Sequence, residues 1–265
     1  MPAHRPAVSV IVPVYNGEAF LADAVDSIQR QTEPPDEIII VDDGSSDGTA
    51  SVAARLRGDI RYVHQPNAGP PAARNTGLRM ATGDVIGTLD ADDLWPLDRL
   101  ELLRGILAAD RSLEVVLGRL QFMRGRAGTD GERCERLSDP VAGLFLGSAL
   151  FRRSAFERVG PFDPALRLGD DLDWFLRAME RRLAITAIEP VTLLYRMHAA
   201  NVTHDRAAVR RGIAAVLYKS LSRRRAANGG QAAPLPAIPG CGSVDDALRR
   251  TIELQRNVWA GTSQP

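Results

Sequence analysis

The feature that most constrains the fold of this chain is a series of short, continuous apolar runs, each followed by a polar turn and a helical pattern. Two of these runs are VSVIVPV at residues 8–14 and EIIIV at residues 37–41, and both are rich in β-branched side chains. Continuous apolar runs of this length are typical of strands that are covered on both faces. The alternation over about the first 110 residues predicts an α/β fold with a mainly parallel sheet flanked by helices.

Further elements follow along the chain. Additional strands are predicted at residues 60–65, 84–89 and 113–118. Helical spacing of apolar residues predicts helices at residues 20–32, 49–56, 71–81, 96–107, 205–226 and 243–259, and another directly after Asp171. We therefore divide the chain into a main domain at residues 1–204 and a C-terminal helical extension and tail at residues 205–265.

Polar side chains follow several of the predicted strands, at the point where each strand ends. They include Tyr15 and Asn16 after the first strand, a run of carboxylates that begins at Asp42, and a loop that leads to Arg74. In open α/β sheets, ligands bind in the crevice outside the carboxyl ends of the strands. We therefore expect these side chains to line one crevice.

The sequence TLDADDLWP at residues 88–96 places Asp90, Asp92 and Asp93 directly after an apolar strand. Repulsion between carboxylates and their desolvation both cost free energy, so a positive partner is expected there. The chain contains neither GxGxxG nor GxxxxGK[ST], the two familiar phosphate-binding patterns. Mn²⁺ or Mg²⁺ held by Asp90 and Asp92 would supply the positive charge and bridge to substrate phosphates, because both ions prefer oxygen ligands.

Charge and cysteine content exclude some classes of function. Lys plus Arg and Asp plus Glu both number 33, and the pI of about 6.9 gives no overall attraction to nucleic acid. Cys134 and Cys241 lack CxxC spacing, so neither a disulfide framework nor a zinc site is predicted. No run approaches the roughly 18 apolar residues that a membrane span needs. We expect a cytoplasmic protein.

Seven segments, in order, carry a resemblance to a known family: VSVIVPVYNG, EIIIVDDGSSDGT, NAGPPAARNTGL, GDVIGTLDADD, GSALFRRSAFERVGPFD, GDDLDWFLR and LLYRMHAAN. Together they resemble the family 2 glycosyltransferases of the GT-A fold, over about residues 7–203. The resemblance implies transfer of a sugar from a nucleotide diphosphate sugar, with UDP or TDP expected, to an acceptor hydroxyl. It also implies inversion at the anomeric carbon, a divalent metal, a donor half at about residues 7–110 and an acceptor half at 111–204.

Carried over residue by residue, the resemblance implies a nucleotide site formed by Pro13, Tyr15, Asp43, Arg74, Asp90 and Ala91, with Asp92 as the metal ligand. Tyr15 would stack on the base, and Asp43 would accept a hydrogen bond from N3–H of uracil or thymine. Arg74 would face the base or a phosphate. Each role has a structural alternative: a half-buried tyrosine at a strand end, a carboxylate that caps the next helix, and a surface arginine.

The segment GDDLDWFLR holds a second acidic cluster before a predicted helix. The resemblance implies that Asp171 is the catalytic base, and Asp170 stands where the family usually has Glu. An Asp with an ordinary pKa of about 3.9 is ionised at neutral pH, so it can accept the proton of an attacking hydroxyl. The alternative is that both carboxylates only stabilise the helix N-terminus.

A weaker group of candidates completes the predicted site, and it consists of Asn16, Asp42, Asp170, Arg196 and His198. Arg196 would neutralise phosphate, with a packing or surface role as the alternative. His198 would lie near the metal or the diphosphate, as the resemblance implies for a histidine at this position.

The predicted helix at residues 205–226 is amphipathic and basic. One interpretation is that it packs on its own domain or in a homodimer, with its charges in solvent. The other is that it contacts an anionic membrane surface, at the inner face, where lipid-linked acceptors would be found. The loop at residues 123–140, rich in Gly and Arg, is assigned to the acceptor side without a specific role.

Two other classes of function remain open at this point. A nucleotidyltransferase would also bind metal and nucleotide but would release pyrophosphate. A non-catalytic nucleotide-sugar binding protein would need no base, and the presence of Asp92 and Asp171 argues against it. The expected partners are a nucleotide sugar donor and a hydroxyl acceptor, which is a glycan, a lipid-linked molecule or a small molecule, and no nucleic acid.

Overall fold

The computed structural model describes residues 5–125, 134–198, 201 and 205–261. The strands, in chain order, are β1 (Val8–Val14), β2 (Glu37–Asp42), β3 (Ile60–His64), β4 (Val85–Thr88), β5 (Val115–Arg124), β6 (Glu135–Arg136), β7 (Ala149–Arg152) and β8 (Ile185–Met197). The helices are α1 (Leu21–Gln29), α2 (Thr49–Ala53), α3 (Pro70–Met80), α4 (Arg99–Ala109), α5 (Arg153–Val159), α6 (Asp170–Glu180), α7 (Arg206–Ala227) and α8 (Val244–Gly261).

Within the described residues the strands form one sheet in the order β3-β2-β1-β4-β7-β5-β6, with β8 beside β5. Strand β1 is parallel to β2 and β4, and β2 is parallel to β3. Strand β7 runs antiparallel between β4 and β5, whereas β8 is parallel to β5. The predicted mainly parallel sheet is confirmed, and its parallel half brings the carboxyl ends of β1, β2 and β4 to one edge.

Strands β1, β2 and β4 are buried on both faces, which explains why their sequences are continuously apolar. In β1, Val10 and Val12 belong to the core that contains α1 and α4 residues, while Ile11 lies on the opposite face. Strand β5 shows the same alternation, with Val116 on the first face and Val115 on the face covered by α5 and α6. The sheet therefore separates one core cluster on the first face from two clusters on the opposite face.

The structure corrects several predicted boundaries. The helix predicted at residues 96–107 begins only at Arg99, and Leu97 is 55% exposed in the preceding turn. Arg99 is buried in its place, with its guanidinium 3.6 Å from the ring centre of Trp95. Strand β5 extends past Gly118 to Arg124, because it pairs with β8 along most of its length. Helix α6 starts at Asp170, so both carboxylates lie in its first turn.

The C-terminal helices pack on the main domain. Val216 of α7 and Ala247 of α8 are buried in the core that α5 and α6 form. Helix α7 is also held to α6 by polar contacts, in which Ser220 donates a 2.6 Å hydrogen bond to Glu180. In the described part of the chain no helix is long and apolar enough to cross a membrane. The basic residues Arg210 and Arg211 are exposed.

Candidate active site

A cavity of about 810 Å³ opens at the sheet edge where β1, β2 and β4 end. The sequence-predicted residues that line it are Pro13, Tyr15, Asn16, Asp43, Arg74, Asp90, Ala91, Asp92, Asp170, Asp171 and His198. The expectation that the strand ends share one crevice is therefore confirmed. Of the residues predicted for the site, Asp42 and Arg196 lie outside this lining.

The loop after β1 presents Tyr15 to the cavity. Tyr15 is 56% exposed, which leaves a large part of the residue open to a ligand. Asn16, with φ of 51°, ties this loop to the loop after β2, because its Oδ1 accepts a 2.8 Å hydrogen bond from the Ser46 amide. The Asn16 amide in turn donates to Ser45 Oγ. These bonds hold the Tyr15 ring at the mouth of the cavity.

Asp43 is buried and organises the loop that leads to α3. Its Oδ1 accepts hydrogen bonds from Gln65 Nε2 (2.7 Å) and the Ala68 amide (3.0 Å), and its Oδ2 accepts one from the Gly69 amide (2.7 Å). It therefore holds the start of α3 and does not cap α2, the next helix. A carboxylate offers about four acceptor positions, so Oδ2 retains one that can receive a ligand donor.

Asp42 has a different role from its neighbour. Its two oxygens accept hydrogen bonds from the Ser45 amide and the Tyr62 hydroxyl, and it is buried outside the cavity lining. The side-chain alternation of a strand explains the difference, because adjacent residues point to opposite faces. The weaker expectation that Asp42 contributes to the nucleotide site is not supported by this position.

Arg74 bridges the two acidic segments. Its Nη2 lies 2.5 Å from Asp90 Oδ1, and its Nη1 lies 2.5 Å from Asp170 Oδ2. Burial lowers the pKa of Arg74, but the charges of Asp90 and Asp170 outweigh it and hold the pKa above its ordinary value. Arg74 is buried, so the surface-arginine alternative is wrong. The residue links the loop after β4 to the first turn of α6.

Asp92 lies in a small polar cluster that the end of β8 completes. Its Oδ2 is 3.0 Å from His198 Nε2 and 3.1 Å from Asn201 Nδ2. The His198 ring stacks on Phe20 at 4.2 Å between ring centres, which fixes its plane. Asn201 was missing from the predicted site residues, although the matching segment LLYRMHAAN contains it. The i,i+3 spacing of His198 and Asn201 was the available signal.

The same cluster bears on metal binding. Among the described residues no group of three or more His, Cys, Asp and Glu is placed to hold a metal ion by itself. Asp92 and His198 offer two candidate ligands, and both line the cavity. Mg²⁺ commonly takes one or two carboxylates from the protein and completes its shell with substrate phosphates and water. The residues present fit an ion that binds together with a diphosphate.

The position of Arg196 corrects the expectation that it would neutralise a phosphate. Its side chain is 1% exposed, and Nη1 lies 2.9 Å from Asp23 Oδ2 in a buried ion pair. Its Nε donates to the carbonyl of Asp92, and its amide donates a 3.0 Å hydrogen bond to Asp93 Oδ1. Arg196 therefore supports the loop that carries Asp92 from behind and has no position from which to meet a phosphate.

Asp171 differs electrostatically from the sequence-based expectation. Burial and the neighbouring charge of Asp170 raise its pKa to about 7, whereas an ordinary value near 3.9 was expected. The Leu172 amide, which donates a 2.7 Å hydrogen bond to Asp171 Oδ1, and the charge of Arg74 offset only part of this rise. A general base is most effective when its pKa lies near the working pH.

The adjacent carboxylates are engaged in ion pairs. Asp170 is bound to Arg74, and Asp173 contacts Arg177 at 2.8 Å and Arg223 at 3.1 Å. Among the described residues no arginine or lysine forms an ion pair with Asp171, which lines the cavity. Asp171 is therefore the carboxylate of α6 that is placed to accept a proton from a ligand.

Comparison with known sequences identifies a matching family and similar proteins. The sequence profile described as "Glycosyl transferase family 2" matches residues 9–160, more than half of the chain. The protein named "Uncharacterized glycosyltransferase EpsJ" of Bacillus subtilis (strain 168) is 31% identical over 218 residues, which are 75% of this chain and 63% of that protein. The chain thus spans less than two thirds of the length of this curated relative.

Solved structures show the same fold. S. aureus TarS 1-349, in complex with UDP-GlcNAc, superposes with a TM-score of 0.65 at 19% identity, covering 80% of this chain and 66% of that one. The mannosyltransferase PcManGT from Pyrobaculum calidifontis, in complex with GDP-Man and Mn2+, gives 0.64 at 24% identity, with 83% and 66% covered. Both comparisons confirm the GT-A fold. The matched profile, together with the shared fold, establishes that this chain belongs to glycosyl transferase family 2.

Proposed function

We propose that this protein is an inverting glycosyltransferase that moves a sugar from a nucleotide diphosphate sugar to an acceptor hydroxyl. The observation that carries the proposal is the position of Asp171, whose pKa is raised to about 7, in the same cavity as Asp43 and Asp92. A carboxylate that can accept the proton of the acceptor hydroxyl, a carboxylate that can recognise the nucleobase and a candidate metal ligand therefore face one cavity.

The nucleotide would bind between Tyr15 and Asp43. The exposed Tyr15 ring offers a face on which a base can stack, and Asp43 Oδ2 can accept the imide N–H of uracil or thymine. We therefore propose a UDP or TDP sugar as the donor. TarS binds UDP-GlcNAc and PcManGT binds GDP-Man, so a GDP sugar belongs in the same test.

Asp92 and His198 would hold Mn²⁺ or Mg²⁺ together with the diphosphate. When bound, such an ion neutralises the negative charge that grows on the leaving diphosphate. Asn201 donates to Asp92 Oδ2, and the Arg196 backbone and side chain fix the loop on either side. These contacts limit the rotation of the Asp92 carboxylate and keep Oδ2 beside His198 and Asn201.

Asp171 would accept the proton of the acceptor hydroxyl as its oxygen attacks the anomeric carbon. A new C–O bond to the acceptor forms while the C–O bond to the diphosphate breaks on the opposite face, which inverts the anomeric configuration. The proton ends on Asp171 and the bonding electrons leave with the nucleoside diphosphate. Arg74 stabilises the ionised form of Asp171 through its charge while it holds Asp170 in place.

The test is a panel of UDP, TDP and GDP sugars with Mn²⁺, in which donor binding is measured by calorimetry and products by chromatography. We expect one donor to bind selectively and to release nucleoside diphosphate when an acceptor is present. Release of pyrophosphate would indicate a nucleotidyltransferase, and binding without turnover of any acceptor would indicate a binding protein. Failure of every nucleotide sugar to bind would overturn the proposal.

The metal role has its own test. Affinity for the selected nucleoside diphosphate should fall when EDTA replaces Mn²⁺, because an ion held by Asp92 would offset the negative charge of the phosphates. The variant Asp92→Asn should lose most of this metal dependence. The exposed carboxylate Asp59 lies before β3 and outside the cavity lining, so Asp59→Asn is the matched control. Equal affinity with Mn²⁺ and with EDTA would remove the metal from the mechanism.

A cytoplasmic location, and contact of α7 with a membrane surface or with a second subunit, stay predictions. The exposed arginines Arg210 and Arg211 give α7 a basic surface that could meet anionic lipid. Sedimentation with anionic and neutral vesicles, compared between the wild type and Arg210→Gln, measures this contact directly.

A further inference from the structure

The cavity that contains Asp171 has a second set of lining residues that the donor does not need. Beside the charged residues Arg167, Asp170 and Asp171, the loop before α6, α6 itself and both C-terminal helices line the cavity with apolar side chains. We call them the apolar wall, which consists of Leu168, Leu172, Val209, Ile213, Leu248 and Ile252. A nucleotide diphosphate sugar contains no aliphatic chain, so it does not explain this surface.

Only uncharged side chains of α7 and α8 face the cavity among the described residues. Helices α7 and α8 are rich in charged residues, among them Arg210, Arg211 and Arg249, yet among the described residues no charged side chain of either helix lines this cavity. Val209 and Ile213 are four residues apart on α7, and Leu248 and Ile252 are four apart on α8. Residues at this spacing share one helix face, so each helix turns an apolar face to the cavity.

The wall is continuous with the proposed base. Helix α7 approaches the loop before α6 so closely that a Cβ on Gly212 would lie 3.1 Å from Leu168 Cβ. Gly169, with φ of 81°, follows Leu168 and leads directly into Asp170 and Asp171. Leu168 and Leu172 therefore flank the two carboxylates in sequence, and the wall extends from them onto α7 and α8.

The wall is also incompletely covered. Ile252 is 41% exposed, and Val209, Ile213 and Leu248 are only half-buried. Apolar surface that remains in contact with water is unfavourable, and an apolar ligand that covered it would gain binding free energy. A sugar hydroxyl that is presented to Asp171 would bring whatever is attached to that sugar onto this surface.

We propose that the apolar wall is an acceptor subsite that binds an aliphatic group attached to the acceptor sugar. The inference rests on the proposed function, because Asp171 defines the acceptor side of the cavity. The acceptor is then an amphiphile, with a polar sugar at Asp171 and an apolar aglycone on α7 and α8. Helices α7 and α8 contribute directly to acceptor selection.

The first experiment compares octyl and methyl β-glucosides, which share one headgroup, as ligands of the full chain in calorimetric titrations below the micelle concentration. Burial of a methylene is worth about fourfold in affinity, so the octyl glucoside should bind at least about tenfold more tightly. Equal affinity for the two glucosides, or no binding of either, overturns the subsite. Donor binding is titrated separately, so its failure would count against the proposed function instead.

The second experiment places a charge on the wall. Ile252→Asp should reduce the preference for the octyl chain about fivefold or more, because a carboxylate opposes apolar contact. Leu217→Asp is the matched control, since Leu217 on α7 is 38% exposed and lies outside the cavity lining. Val209→Asp repeats the test from α7, and thermal melting verifies that each variant is folded. An unchanged octyl preference in both wall variants overturns the proposal.

A third comparison identifies the source of the aliphatic group. Vesicles that contain a long-chain polyprenyl-phosphate-linked sugar are compared with the soluble octyl glucoside as acceptors in the presence of the selected donor. Preference for the vesicle-bound substrate assigns a lipid-linked acceptor, and preference for the soluble glucoside assigns a small amphiphilic acceptor. Both results support the subsite, whereas equal turnover of octyl and methyl glucosides, with vesicles inactive, overturns it.

Discussion

The proposed donor end and the proposed acceptor end of the cavity are built in different ways. The donor residues Tyr15, Asp43 and Asp90 each follow a parallel strand within a few positions, so one repeated unit places them all. The proposed acceptor surface instead joins Leu172 of α6 to residues of α7 and α8 that lie 37 or more positions further along the chain. The proposed donor end is therefore positioned by residues that directly follow strands in the sequence. The proposed acceptor end is positioned by the packing of helices that lie far apart in the sequence.

The largest expected effect tests the centre of this arrangement. Asp171→Asn keeps the side-chain shape and removes the proton acceptor, so turnover should fall about 100- to 10,000-fold. Donor affinity should stay near that of the wild type, because Asp171 belongs to the acceptor end. Calorimetric titration measures the donor affinity, and a product assay in the presence of the acceptor measures turnover. If Asp171→Asn lost donor binding together with turnover, Asp171 would also support the donor end. That result would contradict the proposed division of the cavity into two ends.

A pH profile gives the next largest effect. Because the pKa of Asp171 is raised to about 7, the carboxyl group is protonated in the folded protein below this pH and cannot accept a proton. Turnover should therefore rise about tenfold per pH unit up to about pH 7 and then level off, a change of about 100-fold from pH 5. Donor affinity measured over the same range is the control. A plateau that begins near pH 4 would show an ordinary carboxylate.

The donor end is tested by Asp43→Ala. A hydrogen bond to a charged acceptor contributes about 1.5 to 3 kcal/mol, so nucleotide affinity should fall about 10- to 150-fold. The substitution also removes three acceptor bonds from the 65–69 loop, so the melting temperature should fall as well. Asp42→Asn, which loses buried contacts outside the cavity, is the matched control for stability alone. Equal losses of nucleotide affinity in both variants would indicate a structural role for Asp43.

The smallest effect concerns the docking of α7. Arg223 contacts Glu180 at 2.7 Å and Asp173 at 3.1 Å, and Arg223→Met would leave these buried acceptors with fewer donors at a cost of roughly 1 to 3 kcal/mol. Acceptor affinity should weaken while nucleotide affinity is unchanged. Lys219→Met removes the more exposed contact with Asp163 and should cost less than about 1 kcal/mol. A nucleotide affinity that falls in Arg223→Met would show that α7 supports both ends.

Much of the fold was predictable because its signals are local. The β-branched runs predicted β1, β2 and β4, and the apolar spacing predicted α1, α3 and α7 to within a few residues. Polar residues at the strand ends predicted the shared crevice, since parallel strands place their carboxyl ends at one edge. The exposed Leu97 and buried Arg99 were not predictable, because Arg99 is held by the Trp95 ring and by the carbonyls of residues 147 and 149, which lie far away in sequence.

The sequence by itself determined which residues meet at the proposed donor end, because each follows a strand of the strand-helix alternation that predicts a parallel sheet, whose strands place their carboxyl ends at one edge. Only the tertiary structure decided which charged side chains form ion pairs in this region and which carboxylate has a raised pKa. It buried Arg196 against Asp23, set Arg74 between Asp90 and Asp170, and raised the pKa of Asp171. Burial and electrostatic coupling are sums over groups that lie far apart in sequence, and no local pattern encodes them.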